Sequence, residues 1–505
     1  MSNSIKRQDQ GTISSSKKDI LHESNKKTNY FLEFIIPLVL LACNGAFYWA
    51  IRGTGGYGGS AGGGFAGIGW AICWYFLSHE KNEVKRRPYS SPWIVLAITF
   101  GMWYGGMHGW GQFNSWIKGI FGIGISNSVT VSVNPAWGFA AHFQCGMAWV
   151  GATGVFMAWC GTKRKTRGID WIFRIIFGVS GAILSQVVFY VFPALVLPLY
   201  GEGYYTPLPT NPDSDILRTI STAQSSILYF GIFLGLLAYE IIRKEWRGVL
   251  LILVMGVGGG LSQMLSAFWH FGGALNLDLI PGIEYTGWWK AWEMSTGFFH
   301  GITIAVCYFL FNRPIKGKKI LKSRKQPYSL HRTAEKELGM NFPFAFGISI
   351  AIRGGLQGLG ELLTLDDALV DAASFLIIGF IFYRLMENMY QSTKNPYKIL
   401  DGKQNMRFPG ARWIIAHFGL ILCGFIAAIR SFPLGDTQIV LVMVYGILLS
   451  TGFIMFMIRW FLAIKLVEDF SWMNEKITTS FEKRKNKSLI LRLIKYKNNP
   501  RNSKL

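Results

Sequence analysis

Residues 224–270 of the chain read QSSILYFGIFLGLLAYEIIRKEWRGVLLILVMGVGGGLSQMLSAFWH, two apolar blocks on either side of a short basic turn. Each block has about 20 residues, the length of helix that crosses a hydrocarbon core of roughly 30 Å. The turn carries Arg243, Lys244 and Arg247, and Lys and Arg concentrate in the cytoplasmic loops of membrane proteins. The stretch therefore predicts two spanning helices that are joined on the cytoplasmic side.

The same pattern of apolar blocks recurs along the whole chain. Of the 505 residues, 50% are hydrophobic and only 16% are charged, which is poor in charge for a soluble domain. The blocks predict an all-α polytopic transmembrane bundle of about twelve spanning helices. Their predicted bounds are 30–51, 56–77, 93–111, 136–160, 170–192, 224–242, 248–270, 289–311, 342–362, 369–386, 413–430 and 438–463.

The charge of the connections alternates between the two sides of the predicted bundle. Basic residues occupy the N-terminal tail, every second connection and the C-terminal tail, whereas the intervening loops 193–223 and 271–288 carry more acidic than basic side chains. This pattern places both termini in the cytoplasm. We expect an integral protein of the plasma membrane, surrounded by the lipid bilayer.

Polar segments divide the predicted bundle into parts. Segment 112–134 is too polar to span easily, and we expect a re-entrant or surface element on the outer side. The predicted parts are an uncleaved cytoplasmic tail at 1–29, an eight-helix membrane block at 30–312, a basic cytoplasmic loop at 313–340, a four-helix membrane block at 341–466 and a basic cytoplasmic tail at 467–505.

Several functions are excluded by composition and motifs. The net charge of +23 comes from basic residues between apolar blocks, so no nucleic-acid partner is expected. The six cysteines form no C-x-x-C pair, which argues against a zinc site or a disulfide framework. Residues 62–67 match G-x-G-x-x-G, but no predicted strand precedes them, and no P-loop motif occurs. We therefore expect no cofactor and no metal.

The second predicted helix carries small residues four apart, at Gly55, Gly59, Gly63, Gly67 and Ala71. Missing side chains on one helical face let another backbone approach closely. The spacing predicts a packing seam along this helix.

Ionisable and amide side chains inside the predicted helices concentrate toward their outer ends. Such groups cost a few kcal/mol or more each in hydrocarbon unless they face the bundle interior or water. Their common depth predicts a polar cavity in the outer half of the bundle. The candidate substrate-binding residues are Arg52, His108, Gln112, His142, Gln263, His270, Glu293, His300 and Arg353.

Individual roles follow from side-chain chemistry. Arg52 and Arg353 offer positive charge to an anion, and Glu293 with His300 could exchange protons. Arg52 could instead extend to the lipid head groups, and Glu293 could be a structural partner of Arg52, Arg353 or Lys290. The histidines are expected to bond between helices, since no two are three or four apart on one helix.

Three classes of function remain open at this point. The preferred one is a transporter or facilitator for a small polar or anionic solute, which would occupy the cavity. A membrane-embedded transferase for a lipid-linked or extracytoplasmic substrate would use Glu293 or a histidine as general base. A structural or assembly protein would use the polar side chains only to join helices. The sequence leaves the solute, any enzymatic activity and the oligomeric state undetermined.

Overall fold

The structure is a computed structural model of the chain. It describes residues 30–52, 57–78, 87–106, 113–123, 129–161, 166–205, 215–275, 285–313, 334–335, 337–394, 411–431 and 446–459. Within these ranges the fold is all-α apart from one short β-hairpin.

The helices follow the apolar blocks closely. Each of the twelve predicted segments contains a helix, and the bounds of two of them, 136–160 and 342–362, coincide with the structure. The helices are α1 Ile36–Ala50, α2 Ser60–Ser78, α3 Trp93–Gly106, α4 Phe113–Ile117, α5 Ala136–Cys160, α6 Gly168–Val191, α7 Asp215–Ile242, α8 Trp246–Ser266, α9 Phe268–Ala274, α10 Tyr285–Phe311, α11 Phe342–Leu362, α12 Asp367–Lys394, α13 Ala411–Ser431 and α14 Gly446–Arg459. Single π-turns at Phe31–Ile35 and Glu337–Asn341 lead into α1 and α11.

Six helical segments of the described chain are long and apolar enough to cross a membrane. They are Phe31–Ala50, Gly168–Val191, Ile216–Ile242, Trp246–Ala274, Trp288–Phe311 and Asp367–Tyr390. Length and composition therefore support an integral membrane protein with an all-α fold. The count of twelve crossings stays a prediction.

The contacts between helices close a ring of six. Going round it, α1 packs on α2, α2 on α3, α3 on α5, α5 on α8, α8 on α10, and α10 returns to α1. The α6–α7 hairpin packs on α5 and α8 through α7, while α11 packs on α2 and α3 and carries α12 and α13. Helix α2 lies in the interior of the fold, since its residues 62–78 are buried throughout.

Three pairs of neighbouring helices in the described chain meet glycine to glycine, with their backbones in contact. A Cβ placed on Gly297 would lie 2.1 Å from the carbonyl oxygen of Gly45, far inside van der Waals contact. Helices come this close only where side chains are missing. The pairs are Gly45 with Gly297 between α1 and α10, Gly146 with Gly259 between α5 and α8, and Gly181 with Gly231 between α6 and α7.

The glycines of α2 contact several neighbours rather than one seam. Of the predicted seam, Gly67 packs on the backbone of Thr99 in α3. Gly59 precedes α2 with φ at +56°, and no described atom lies within 4 Å of a Cβ placed there. Gly55 lies outside the described residues. Gly69 faces Tyr48 of α1, so the small residues of α2 serve different contacts.

Segment 112–134 forms a short helix and a hairpin where it is described. Helix α4 packs on α5, and strands β1 Ile120–Ile123 and β2 Val129–Ser132 pair antiparallel, with Ile120 opposite Ser132. Gly119 lies between α4 and β1 at φ +77°, a backbone conformation that glycine adopts without strain. This segment caps the end of the ring at which α5 begins.

Candidate functional site

Six of the nine predicted site residues are buried together at the end of the ring where α1 ends and α10 begins. Of the other three, Arg353 is exposed on α11, and His108 and Gln112 lie outside the described residues. The six form what we call the buried polar cluster: Arg52, His142, Gln263, His270, Glu293 and His300.

Glu293 of α10 is the acidic centre of the cluster. Its Oε2 lies 2.6 Å from Nζ of Lys290, and its Oε1 accepts a hydrogen bond of 3.1 Å from the Trp289 indole. Lys290, three residues earlier, lies on the same helical face and also donates to the carbonyl oxygen of Ala50 at 3.1 Å. Arg52 adds a second cation that interacts with Glu293. Of the three partners predicted for Glu293, the structure brings Lys290 and Arg52 to it.

Arg52 lies over an aromatic ring at the end of α1. Its guanidinium carbon is 4.8 Å from the centroid of Trp49, within cation–π range. The ring of Trp49 in turn lies 4.5 Å from Trp149 and 6.4 Å from His300. The positive charge is thus held inside the ring of helices, and the side chain is 9% exposed.

Gln263 of α8 joins two histidines from different helices. Its Nε2 lies 3.4 Å from Nε2 of His300 on α10, and its side chain also interacts with His142 on α5. His142 shares a hydrogen bond of 2.9 Å between its Nε2 and Oδ1 of Asn114 in α4. These contacts connect four elements of the fold through uncharged polar groups.

His270 lies among tryptophan rings of α10. Its ring centroid is 5.2 Å from the centroids of both Trp289 and Trp292, and Trp292 lies 5.8 Å from His142. The contacts therefore form a closed series. It runs from Glu293 through Trp289, His270, Trp292, His142, Gln263, His300, Trp49 and Arg52 and returns to Glu293. In this conformation His142, Gln263 and His300 are 0% exposed. Solvent does not reach these three side chains here, and the predicted open cavity stays a prediction.

Several buried polar atoms of this region have no hydrogen-bond partner within the described chain. They include both ring nitrogens of His270, Nδ1 of His300 and the indole nitrogens of Trp49 and Trp292. An unsatisfied buried polar group costs about 1–3 kcal/mol, and native proteins leave few of them without water, an ion or a ligand. An indole N–H can only donate, so the missing partners include acceptors.

The charges around the cluster are mostly positive. Arg52 and Lys290 flank Glu293, and Lys118, in the turn after α4, interacts with His270. Burial lowers the pKa of Lys118 below its usual value because partial desolvation disfavours its charged form. Two basic side chains therefore act on the Glu293 carboxylate, and a third acts on His270.

The opposite end of the ring carries a polar network whose members are bonded to each other. Arg87 binds Glu33 through two hydrogen bonds of 2.7 and 2.8 Å, and it donates to the carbonyl oxygen of Asn312 at 3.0 Å. The Asn312 side chain accepts from the backbone N–H of Tyr89 at 2.9 Å and donates to Ser78 at 2.7 Å. This network ties the start of α1 and the ends of α2 and α10 to the segment before α3.

A second buried polar group was not predicted from the sequence. Tyr48 of α1 shares a hydrogen bond with Nε2 of His417 in α13, and its hydroxyl lies 3.3 Å from Sγ of Cys73 in α2. The His417 ring stacks on Phe456 of α14 with centroids 4.9 Å apart. The position of His417 inside an apolar block was the available signal, but its partners are far away in sequence.

A buried ion pair in the α6–α7 hairpin was also missed. Arg174 Nε lies 2.8 Å from Oε1 of Glu240, and both side chains are 2% exposed. The guanidinium carbon lies over the rings of Trp159 and Trp171, at 4.7 and 4.6 Å from their centroids. A charged residue inside a predicted span was the signal that could have found this pair.

Comparisons with known proteins identify no relative: no protein-family model, no curated protein and no solved structure matches this chain. In the part of the chain that the structure describes, no group of three or more His, Cys, Asp or Glu side chains could hold a metal ion. The site therefore has to be interpreted from its own geometry and charge.

Proposed function

We propose that this protein is a membrane transporter or facilitator for a small polar or anionic solute. In this proposal twelve helices cross the plasma membrane, both termini lie in the cytoplasm, and the buried polar cluster lies in the outer half of the bundle. The alternating charge of the connections supports this orientation. It places the Glu33–Arg87 network at the cytoplasmic end.

The observation that carries the proposal is the difference between the two ends of the ring. At the cytoplasmic end, Arg87, Glu33 and Asn312 bond to each other. At the outer end, His270 and Trp292 are buried with nitrogen atoms that no described group bonds. A cluster that only joined helices would gain stability by satisfying its own polar atoms.

Transport also fits the way in which the ring is closed. A solute site inside a membrane needs polar groups that face the bundle interior, and helices α1, α5, α8 and α10 of the ring contribute buried side chains to the cluster or to its aromatic contacts. The bonded network at the other end would keep the site separate from the cytoplasm in this conformation. Release of the solute would then require Arg87 and Glu33 to part.

Uptake into proteoliposomes tests the proposal. The purified full-length protein is reconstituted, and entry of methanesulfonate, phosphate and erythritol is followed by light scattering against protein-free vesicles. We expect at least one probe to enter faster with the protein present. Glu293→Gln should abolish that entry and leave the protein folded, because glutamine keeps the shape and hydrogen bonding of the side chain but removes the charge that Lys290 and Arg52 contact.

Glu387→Gln is the matched control, since Glu387 forms an exposed pair with Arg384 on α12. This variant should transport like the wild type. Entry rates equal to those of protein-free vesicles for every probe, with Glu293→Gln changing only thermal stability, would assign the cluster a structural role instead.

A further inference from the structure

Trp149 of α5 lies directly against the buried polar cluster. Its ring centroid is 5.1 Å from that of His300 and 4.5 Å from that of Trp49, the ring over which Arg52 lies. The side chain is 2% exposed. A molecule that approached His300 from the side of this ring would therefore meet the indole first.

The same side chain lines a cavity between α3, α5 and α7. The cavity has a volume of about 10 Å³, close to the space that one water molecule needs. Cys145 and Ser226 also line it, and their Sγ and Oγ atoms are 3.0 Å apart. Tyr104 and Tyr229 complete its wall and are only partly buried. The cavity therefore lies near the surface of the bundle, and Trp149 is in contact with both the cavity and the cluster.

A glycine of α3 makes room for the Trp149 ring. A Cβ placed on Gly105 would lie 1.1 Å from Cδ1 of Trp149, so a side chain at position 105 would overlap the indole. The indole N–H donates to the carbonyl oxygen of Met102 at 2.8 Å. The ring is thus held on the backbone of α3 in this conformation.

The cavity gives this ring space in which to move. Protein interiors contain few voids as large as a water molecule, although side chains in them do change rotamer. A void beside Trp149 lies at a side chain that also contacts His300. Rotation of the indole toward the void would uncover the imidazole ring.

We propose that Trp149 closes the access route to the buried polar cluster, and that movement of its indole away from Gly105 joins the cavity between α3, α5 and α7 to His300. This inference rests on the proposed function, because it describes how a solute reaches that site. Gly105 lies one residue before the end of α3, and Ser226 lies in the first half of α7. In the proposed orientation both positions are in the outer half of the bundle, so the route begins there.

The reactivity of a thiol at position 300 tests the route without a measurement of transport. His300→Cys is introduced into the full-length protein in lipid nanodiscs. Its modification by methyl methanethiosulfonate is followed by peptide mass spectrometry, which separates this thiol from the six native cysteines. The rate of modification measures the fraction of molecules in which the route is open.

Trp149→Ala in the same protein removes the ring and should raise the modification rate about tenfold or more, because the open fraction no longer depends on movement of the indole. Trp74→Ala is the matched control. Trp74 is also fully buried, but its indole donates to the carbonyl oxygen of Tyr89 at 2.9 Å and its ring packs on Tyr308. Its truncation removes the same volume at the other end of the ring of helices and should leave the modification rate unchanged.

Gly105→Ala displaces the Trp149 ring without removing it, and the thiol should again react faster. Gly101→Ala is the control one turn earlier on α3, since a Cβ there would lie 2.6 Å from Cα of Thr153 and does not meet Trp149. If Trp149→Ala or Gly105→Ala does not fold, Trp149→Phe compared with Trp74→Phe gives the same readout, because phenylalanine is smaller and cannot donate to Met102.

The outcomes separate this route from the proposed function. Equal modification rates in Trp149→Ala and Trp74→Ala, or in the two glycine variants, would overturn the route. In the uptake assay, with His300 in place, a probe should enter faster through Trp149→Ala than through Trp74→Ala. Equal entry through these two variants would overturn the route while transport stands. Faster thiol modification without uptake of any probe would uphold the route and remove the transport proposal.

Discussion

The contact between α1 and α10 makes Gly297→Ala a sensitive test of how the ring is packed. A Cβ at position 297 would lie 2.1 Å from the carbonyl oxygen of Gly45 and 2.6 Å from Cβ of Trp49. Ordinary contact begins near 3.4 Å, so α10 would have to move by about 1.3 Å.

The two helices cannot relieve this overlap by sliding along each other, because their backbones are also in contact at the next turn. One turn further on, a Cβ at Gly301 would lie 2.1 Å from the carbonyl oxygen of Leu41, so the two backbones already touch at both levels. Overpacking of a dense interior costs about 1–3 kcal/mol and occasionally more. We expect Gly297→Ala to lose about 3 kcal/mol of folding free energy, toward the upper end of that range because the obstacle is backbone.

Gly379→Ala is the matched control in α12, where no described atom lies within 4 Å of the added Cβ. Alanine is favoured over glycine inside a helix by about 0.5–1 kcal/mol, so this variant should be as stable as the wild type or slightly more stable. Thermal unfolding of both variants in the same detergent measures the difference. A Gly297→Ala protein that unfolds at the wild-type temperature would refute the packing of α1 on α10.

Three further predictions concern the cytoplasmic network, the second polar group and the topology. Arg87→Met should lower stability by about 3 kcal/mol because it leaves the Glu33 carboxylate without its bidentate partner, and Glu33→Gln should recover part of the loss in a double-mutant cycle. Tyr48→Phe should cost about 1 kcal/mol through the lost hydrogen bond to His417, an effect that thermal unfolding would show and whose absence would argue against that contact. A cysteine introduced at Lys318 should react with an impermeant thiol reagent only from the cytoplasmic side, and labelling from outside would change the predicted number of crossings before it.

Hydropathy and local chain chemistry were enough to locate the helices. Apolar length is a property of contiguous residues, so each block could be recognised without knowledge of its neighbours. The bounds of α5 and α11 were predicted from apolar length alone, and they agree with the structure. Pro343 lies in the first turn of α11, where proline is tolerated because the N–H groups of that turn have no intrahelical partner.

The candidate site was partly predictable because depth follows from position along each helix. Counting residues from the connections placed His142 and Glu293 near the outer ends of their helices and Gln263 deeper, and the structure connects all three through one cluster of contacts. Rotation about the helix axis does not follow from depth. The sequence therefore placed Arg353 on a helix without fixing the direction in which its side chain points, and the structure exposes it on α11.

The partners of the site residues could not be read from the sequence for a similar reason. Asn114, which bonds His142, belongs to a short helix in a segment that was judged only by its polarity. The sequence also gives no sign that Trp49 and Trp149 contact each other, yet their rings lie 4.5 Å apart beside His300. Such pairings depend on which helices are neighbours in the ring, and that order follows from close contacts at glycines far apart in the chain.

The Arg174–Glu240 pair allows a comparison of the folding stability that is lost when a buried and an exposed ion pair are broken. Arg174→Met should destabilise the protein by about 3 kcal/mol, because Glu240 would keep only the hydrogen bond of 3.0 Å from the Trp159 indole and the longer contact of 3.3 Å with Arg243 among its described side-chain contacts, and buried charges are costly when a partner is removed.

Arg174→Met combined with Glu240→Gln should recover much of that stability, since no uncompensated charge then remains between the helices. Arg384→Met is the matched control, because its pair with Glu387 on α12 is exposed and such pairs contribute less than about 1 kcal/mol. Unfolding of the four proteins in one detergent gives the comparison. If Arg174→Met and Arg384→Met have equal effects, the ion pair of the α6–α7 hairpin is hydrated. Burial would then no longer be a reason to expect a high energetic cost when Glu293 or Arg52 loses its partner.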